Sequence, residues 1–190
     1  MRHRTKAPAL LLFGILLFLT MTGSVAYFVT TQPTHNLITT SSVGIALLDR
    51  ADPTGAVPFN SLENINPNTL YSKIPYIENV GPEPVWIRAR LSLIRRDEDR
   101  DAEIPDLASF IELGEPGTHW LNSEDGFYYY ASALASSETT EPLFTSITFR
   151  ETLIELYPNT EFTFTIDAYA TQVKNNGTSP TNATWTEEGV

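Results

Sequence analysis

Apolar and polar residues alternate along most of this chain, and the alternation has period two. From Val85 to Leu93 the odd positions are Val85, Ile87, Ala89, Leu91 and Leu93, with Arg88, Arg90 and Ser92 between them. Successive strand side chains point to opposite faces, so this segment predicts a strand with one buried and one wet face. Phe162 to Ala168 repeats the pattern most cleanly, setting Thr163, Thr165 and Asp167 between apolar residues. Val43, Ile45 and Leu47 give a short alternation, and Phe127 to Ala131 an aromatic strand. Leu143 to Phe149 places Ile147 and Phe149 on one side and Ser146 and Thr148 on the other. A further strand spans Tyr71 to Glu78, where Pro75 argues for an edge position because proline cannot donate to the ladder.

Turn chemistry separates these runs. Asn122-Ser123-Glu124-Asp125-Gly126 lies between Trp120-Leu121 and Phe127, as in a hairpin. Asn79-Val80-Gly81-Pro82-Glu83-Pro84 parts the strand at Tyr71–Glu78 from the one at Val85. Only Pro105 to Leu113 reads as a helix, capped by Asp106, with Leu107, Phe110 and Ile111 on one face and Gly114 as its stop. After Lys174 the chain turns Asn/Gly/Ser/Thr/Pro-rich, which predicts a frayed end. The expected fold is all-β: an antiparallel two-sheet sandwich with one short helix in a connecting loop.

The N-terminus has a different pattern. Arg2, Arg4 and Lys6 lead into an uncharged apolar run from Ala9 to Met21, closed by Gly23-Ser24-Val25-Ala26. Basic region, apolar core and small-residue cleavage site make a secretory signal peptide, with the cut between Ala26 and Tyr27. The run is shorter than the roughly 20 apolar residues of a comfortable anchor. The alternative is an uncleaved anchor with its basic end in the cytoplasm, the only contact with a membrane that the chain suggests. The expected organisation is signal peptide 1–26, flexible leader 27–35, β-sandwich 36–174 and disordered tail 175–190.

Charge and composition then narrow the function. The formal charge is −11, and residues 1–26 remove three basic side chains and no acid, so the exported part is more acidic still. Such a surface repels nucleic acid and anionic lipid. There is no cysteine, which excludes thiol, zinc-thiolate and disulfide chemistry and leans bacterial for an exported protein. The two N-x-T sequons at Asn176 and Asn182 are read as chance matches.

Few residues suggest catalysis. Asp97, Asp99 and Asp101 copy the first spacings of a calcium loop, but Ala102 replaces the required glycine and Ala108 the closing glutamate. The arginines around them favour a solvated mixed-charge loop. The histidines are His3, His35 and His119, none with metal-ligand spacing, so neither a metal nor a cofactor is expected. No G-x-S-x-G elbow frames a serine. Along Phe127–Tyr130 one alternate pair should fill the core. The other, Tyr128 and Tyr130 with Trp86 or Tyr169, is the candidate stacking face for a glycan or protein. The Thr-rich segment Tyr27–Thr40, with Asn36, Leu37, Ile38 and Thr39 as its strand, could pair with an open sheet edge of another molecule. On the residues alone the favoured reading is that Asn36–Thr39 pairs within its own sheet behind a floppy leader, residues 27–35.

Several passages, in order, resemble the TasA/camelysin family of exported proteins. Ala26-Tyr27-Phe28 at the cut and Asn36-Leu37-Ile38-Thr39 are similar to that family's start. Ile65-Asn66-Pro67-Asn68, Lys73, Tyr76-Ile77-Glu78-Asn79-Val80-Gly81 and Val85-Trp86-Ile87-Arg88 resemble its "N-x-x-P-G-D, K, I-x-N-x-G, Y/W-V/I-R" passage. Asp125-Gly126-Phe127-Tyr128-Tyr129-Tyr130, Glu138-Thr139-Thr140 and Pro142–Ile147 resemble "DGWYYY … GE-T-x-PLF-x-S-V", and Ala168-Tyr169-Ala170-Thr171-Gln172 the closing "A-Y-A-I-Q". The family's Gly-Asp is Asn68-Thr69 here and a usual glycine is Ser137, which implies altered turns on an unchanged fold. Arg95 to Thr118 has no aligned counterpart. The resemblance implies a jelly-roll, release by an endoplasmic-reticulum-type signal peptidase of a Gram-positive bacterium, and a cell-surface or biofilm-matrix role. It also implies partners in further copies of the chain or related matrix proteins, through N-terminal strand donation into fibres. Camelysin has been described as a metallopeptidase, an activity for which this chain offers no zinc motif.

Overall fold

The computed structural model describes residues 43–59, 62, 65–96, 101–158 and 160–185. The cleavage residues Ala26 and Tyr27 and the strand Asn36–Thr39 lie outside the described residues. The described chain is all-β, with antiparallel strands β1 (Ile45–Arg50), β2 (Leu70–Ser72), β3 (Ile74–Asn79), β4 (Val85–Arg95), β5 (Ala102–Glu103), β6 (Ile111–Leu113), β7 (Trp120–Asn122), β8 (Phe127–Tyr130), β9 (Ser146–Phe149) and β10 (Phe162–Gln172). One short helix, α1, covers Glu151–Leu156. No helix among the described residues is long and apolar enough to cross a membrane.

The first sheet runs β10-β4-β8-β7, with β5 beside the far end of β4. Its axis is β4, paired to β10 without a break from Val85↔Gln172 to Arg95↔Phe162. The alternation places Val85, Ile87, Ala89, Leu91 and Leu93 in the core, as the pattern predicts.

The remaining strands form the pairs β1-β3 and β2-β9-β6, and backbone bonds join them. Asn79 N donates to Glu138 O at 2.9 Å, Thr140 N to Ile77 O at 2.9 Å, and Leu143 N to Pro75 O at 2.9 Å. The chain from Glu138 to Phe149 therefore runs along β3 and then β2. Between Thr140 and Leu143 it carries one extra residue relative to β3, a bulge.

That bulge corrects the expected edge position of Pro75. Pro75 lies between β1, where it faces Asp49, and the Glu138–Phe149 chain. In an antiparallel ladder the N–H and C=O of one residue point to the same neighbour. The donor that Pro75 lacks would point at the bulge, where the ladder is already interrupted. Nearby, Ile77 N is satisfied by the Thr140 hydroxyl at 3.0 Å.

The main core joins Val43, Ile45 and Ile77 with the inner face of β4, Trp120, Tyr130, Leu134, Leu143 and Phe144. A second cluster of Leu93, Ile104, Ile111, Ile147, Phe149 and Leu153 fills the end towards β5 and β6. Asn68 and Ser137 have φ of 56° and 63°. Glycine adopts this left-handed backbone freely. Asn68 and Ser137 therefore hold a conformation that glycine takes more easily.

The helix expected over Pro105–Leu113 is replaced by one 3-10 turn, Leu107–Ser109, followed by strand β6. Asp106 does not cap it: φ is 55° and its carboxylate takes the Ser109 hydroxyl instead. Pairing of Ile111 with Phe149 on β9 overrides the helical spacing, and Leu107 and Phe110 still pack on the second cluster.

The frayed end is also corrected for residues 175–185, which fold back over the first sheet; 186–190 lie outside the described residues. The two sequon asparagines hold this strap. Asn176 Nδ2 donates to Thr171 Oγ1 at 2.9 Å and to Thr184 O at 3.1 Å, and its Oδ1 accepts from Thr184 N at 2.7 Å. Asn182 Oδ1 accepts from Thr178 N and Ser179 N, both at 3.0 Å. A polar segment is ordered here because its side chains satisfy its own backbone, as Asn and Ser do in turns.

Candidate functional site

Strand parity decides which aromatic residues meet. Ala89 faces Tyr128 and Arg88 faces Tyr129 across β4 and β8, while Tyr169 on β10 faces Arg88 from the other side. Tyr128 and Tyr130 therefore turn inward with Ala89, and Tyr130 packs on Trp120 with ring centres 5.2 Å apart. Phe127, Tyr129 and Tyr169 turn outward with Trp86 and Arg88. The expected stacking face of Trp86, Tyr128, Tyr130 and Tyr169 is thus split between two sides of one sheet. Trp86 and Tyr130 are both buried.

The outward group is centred on Arg88. Its guanidinium carbon stands 4.0 Å from the centre of the Phe127 ring, 4.6 Å from Trp185 and 5.2 Å from Tyr169. Trp185, at the end of the strap, also meets Tyr129 edge-on at 6.0 Å. Tyr129 donates its hydroxyl to Asp125 Oδ2 at 2.7 Å. Burial pushes the Asp125 carboxyl up, but Tyr129, the Phe127 N–H, Ser123 and the Arg88 charge outweigh it and hold the carboxyl below its ordinary value. Arg88 is 8% exposed, and its Nε has no hydrogen-bond partner among the described residues. Sequence reasoning passed over Arg88 as a wet-face residue and Trp185 as part of a tail. A lone tryptophan in a polar segment was the available signal.

A second feature lies on the other side of β4. Its pairing with β8 ends at Arg90 and that with β5 begins at Ile94. The intervening gap opens into a cavity of about 700 Å³. Leu91, Ile104, Leu107 and Ile111 give it apolar walls, with Tyr128 and Asn122 at the side. Burial pushes the Tyr128 phenol up. Arg90, Ser92, Glu103 and Asp106 also line it, so the space is an open groove of mixed polarity, wide enough to admit a side chain or a small molecule.

The other candidates separate. Asp97 and Asp99 lie outside the described residues; Asp101 pairs with Arg96 at 3.6 Å. His35 also lies outside them. His119 Nδ1 contacts Glu141 Oε1 at 2.7 Å on the surface, and this contact, with the His119 N–H, holds the Glu141 carboxyl below its ordinary value. Among the described residues no group of three or more His, Cys, Asp or Glu is placed to hold a metal ion. Comparison with protein-family models, curated proteins and solved structures finds no match for the chain.

Proposed function

We propose that this chain is an exported, non-enzymatic structural or adhesive protein of a Gram-positive cell surface or biofilm matrix, and that it assembles by strand addition. The reading takes residues 1–26 as the export signal and the layered sheets as a jelly-roll. The observation that carries it is the free side of β10. This strand pairs with β4 through all eleven of its residues, and no strand lies on its other side among the described residues. It is half-exposed nearly throughout, and contains no proline, lysine or bulge to blunt it; Asp167 is its one charge. Long unprotected edges of this kind template another strand.

The donor is Asn36–Thr39 of a neighbouring copy, and head-to-tail addition that does not close produces a filament. The family reading draws support from Asn68 and Ser137, which hold a left-handed backbone that suits glycine, the residue the family resemblance expects there. Electron microscopy of the chain from Tyr27, beside size-exclusion chromatography, tests it. Fibres or an oligomer ladder, lost on deletion of residues 27–40, are expected. A clean monomer across pH and concentration rejects it.

The cavity beside Leu91 and Tyr128 favours a second reading, a monomeric extracellular module that binds a glycan or protein there. In that case binding survives the deletion and is lost on Tyr128→Ala.

A further inference from the structure

Lys73 occupies the single-residue break between β2 and β3, and is 7% exposed. Its ammonium contacts Asp49 Oδ2 on β1 and lies 4.0 Å from the centre of the Phe59 ring. The other carboxylate oxygen, Asp49 Oδ1, is buried and has no hydrogen-bond partner among the described residues. A buried ammonium thus meets a partly buried carboxylate, 21% exposed, with one acceptor oxygen left unsatisfied among the described residues. Charges removed from water in this way are costly unless fully paired.

We propose that Lys73 and Asp49 condense into an intramolecular isopeptide bond. The ammonium passes a proton to the carboxylate it touches, giving a neutral amine and a neutral carboxylic acid. The Lys73 Nζ lone pair attacks Asp49 Cγ, and the C–OH bond breaks. A second proton leaves Nζ with that hydroxyl, so the products are one amide and one water, with no change of oxidation state. Burial pulls the Lys73 ammonium below its ordinary value, and the Asp49 charge and hydrogen bond offset this only in part. Contact between the groups replaces a bimolecular encounter. Exclusion of water favours condensation over hydrolysis. The product removes the buried ammonium together with the charge of its partner, and ties β1 to the β2–β3 junction in a chain that has no cysteine for a disulfide.

Intact-mass spectrometry of the purified full chain, allowing for signal removal, tests the bond. The mass is expected to fall short of the sequence mass by one water, and digestion should yield a branched peptide joining Asp49 to Lys73. Lys73→Arg and Asp49→Ala should each restore the full mass. An unmodified wild-type mass after prolonged incubation at neutral pH overturns the proposal. So does a water loss that persists in Lys73→Arg.

Discussion

The Trp86 indole on β4 donates its Nε1 hydrogen to the carbonyl of Asn176 at 3.1 Å, fastening the C-terminal strap to the central strand of the first sheet. The strap ends at Trp185, stacked on Arg88. Both faces of β4 are therefore covered along Val85–Ala89.

Trp185→Ala should remove the cation–π contact with Arg88 and the edge contact with Tyr129. A loss of about 2 kcal/mol is expected. Urea unfolding would measure it, and Trp185→Phe should retain part of the stability. An unchanged midpoint for Trp185→Ala would mean that the strap contributes nothing.

Asn79 is fully buried and ties the turn after β3 to the segment around Leu134. Its Nδ2 donates to Glu83 O at 2.9 Å and Leu134 O at 3.0 Å, and its Oδ1 accepts from Gly81 N at 2.9 Å. Asn79→Ala leaves these groups without that partner, and a loss of about 2–4 kcal/mol is expected in equilibrium unfolding.

Thr140→Val keeps the shape but removes the hydroxyl that accepts from Ile77 N beside the bulge. An unsatisfied buried N–H costs about 1–3 kcal/mol, and Thr140→Ser should restore most of it. Thermal unfolding of the pair separates hydrogen bonding from packing.

Asp167 gives a pH dependence. Burial holds its carboxyl above the ordinary 3.8, a rise that Arg90 opposes and Glu103 reinforces. The folded chain then binds this proton more tightly than the unfolded chain. The associated stability is complete below the ordinary value and falls as pH rises through the folded one. Asp167→Asn should raise the unfolding midpoint near neutral pH and leave it unchanged in acid. Parallel pH titrations of the midpoint would check it.

The strands β4, β8 and β10 were legible because period-two alternation reports directly which residues share a face. Alternation does not say what lies over each face. Arg88 read as wet because its own strand cannot reveal that residues nearly a hundred positions later will cover it. Pro75 read as an edge residue because the compensating bulge sits on another strand. The Pro105–Leu113 segment carried helical spacing and turned extended because β9 offered a ladder. The aromatic residues of the candidate face were found singly, but parity alone left open which alternate set would face the core.

The strap also has a consequence for the order of events during folding. Its anchors, Asn176, Asn182 and Trp185, follow every strand of the first sheet along the chain. Until they dock, the aromatic side of the first sheet lacks this cover, and the Arg88 charge is more open to water. A polypeptide cut before Asn176 would therefore present that bare aromatic surface to solvent, although all the strands of the first sheet are present.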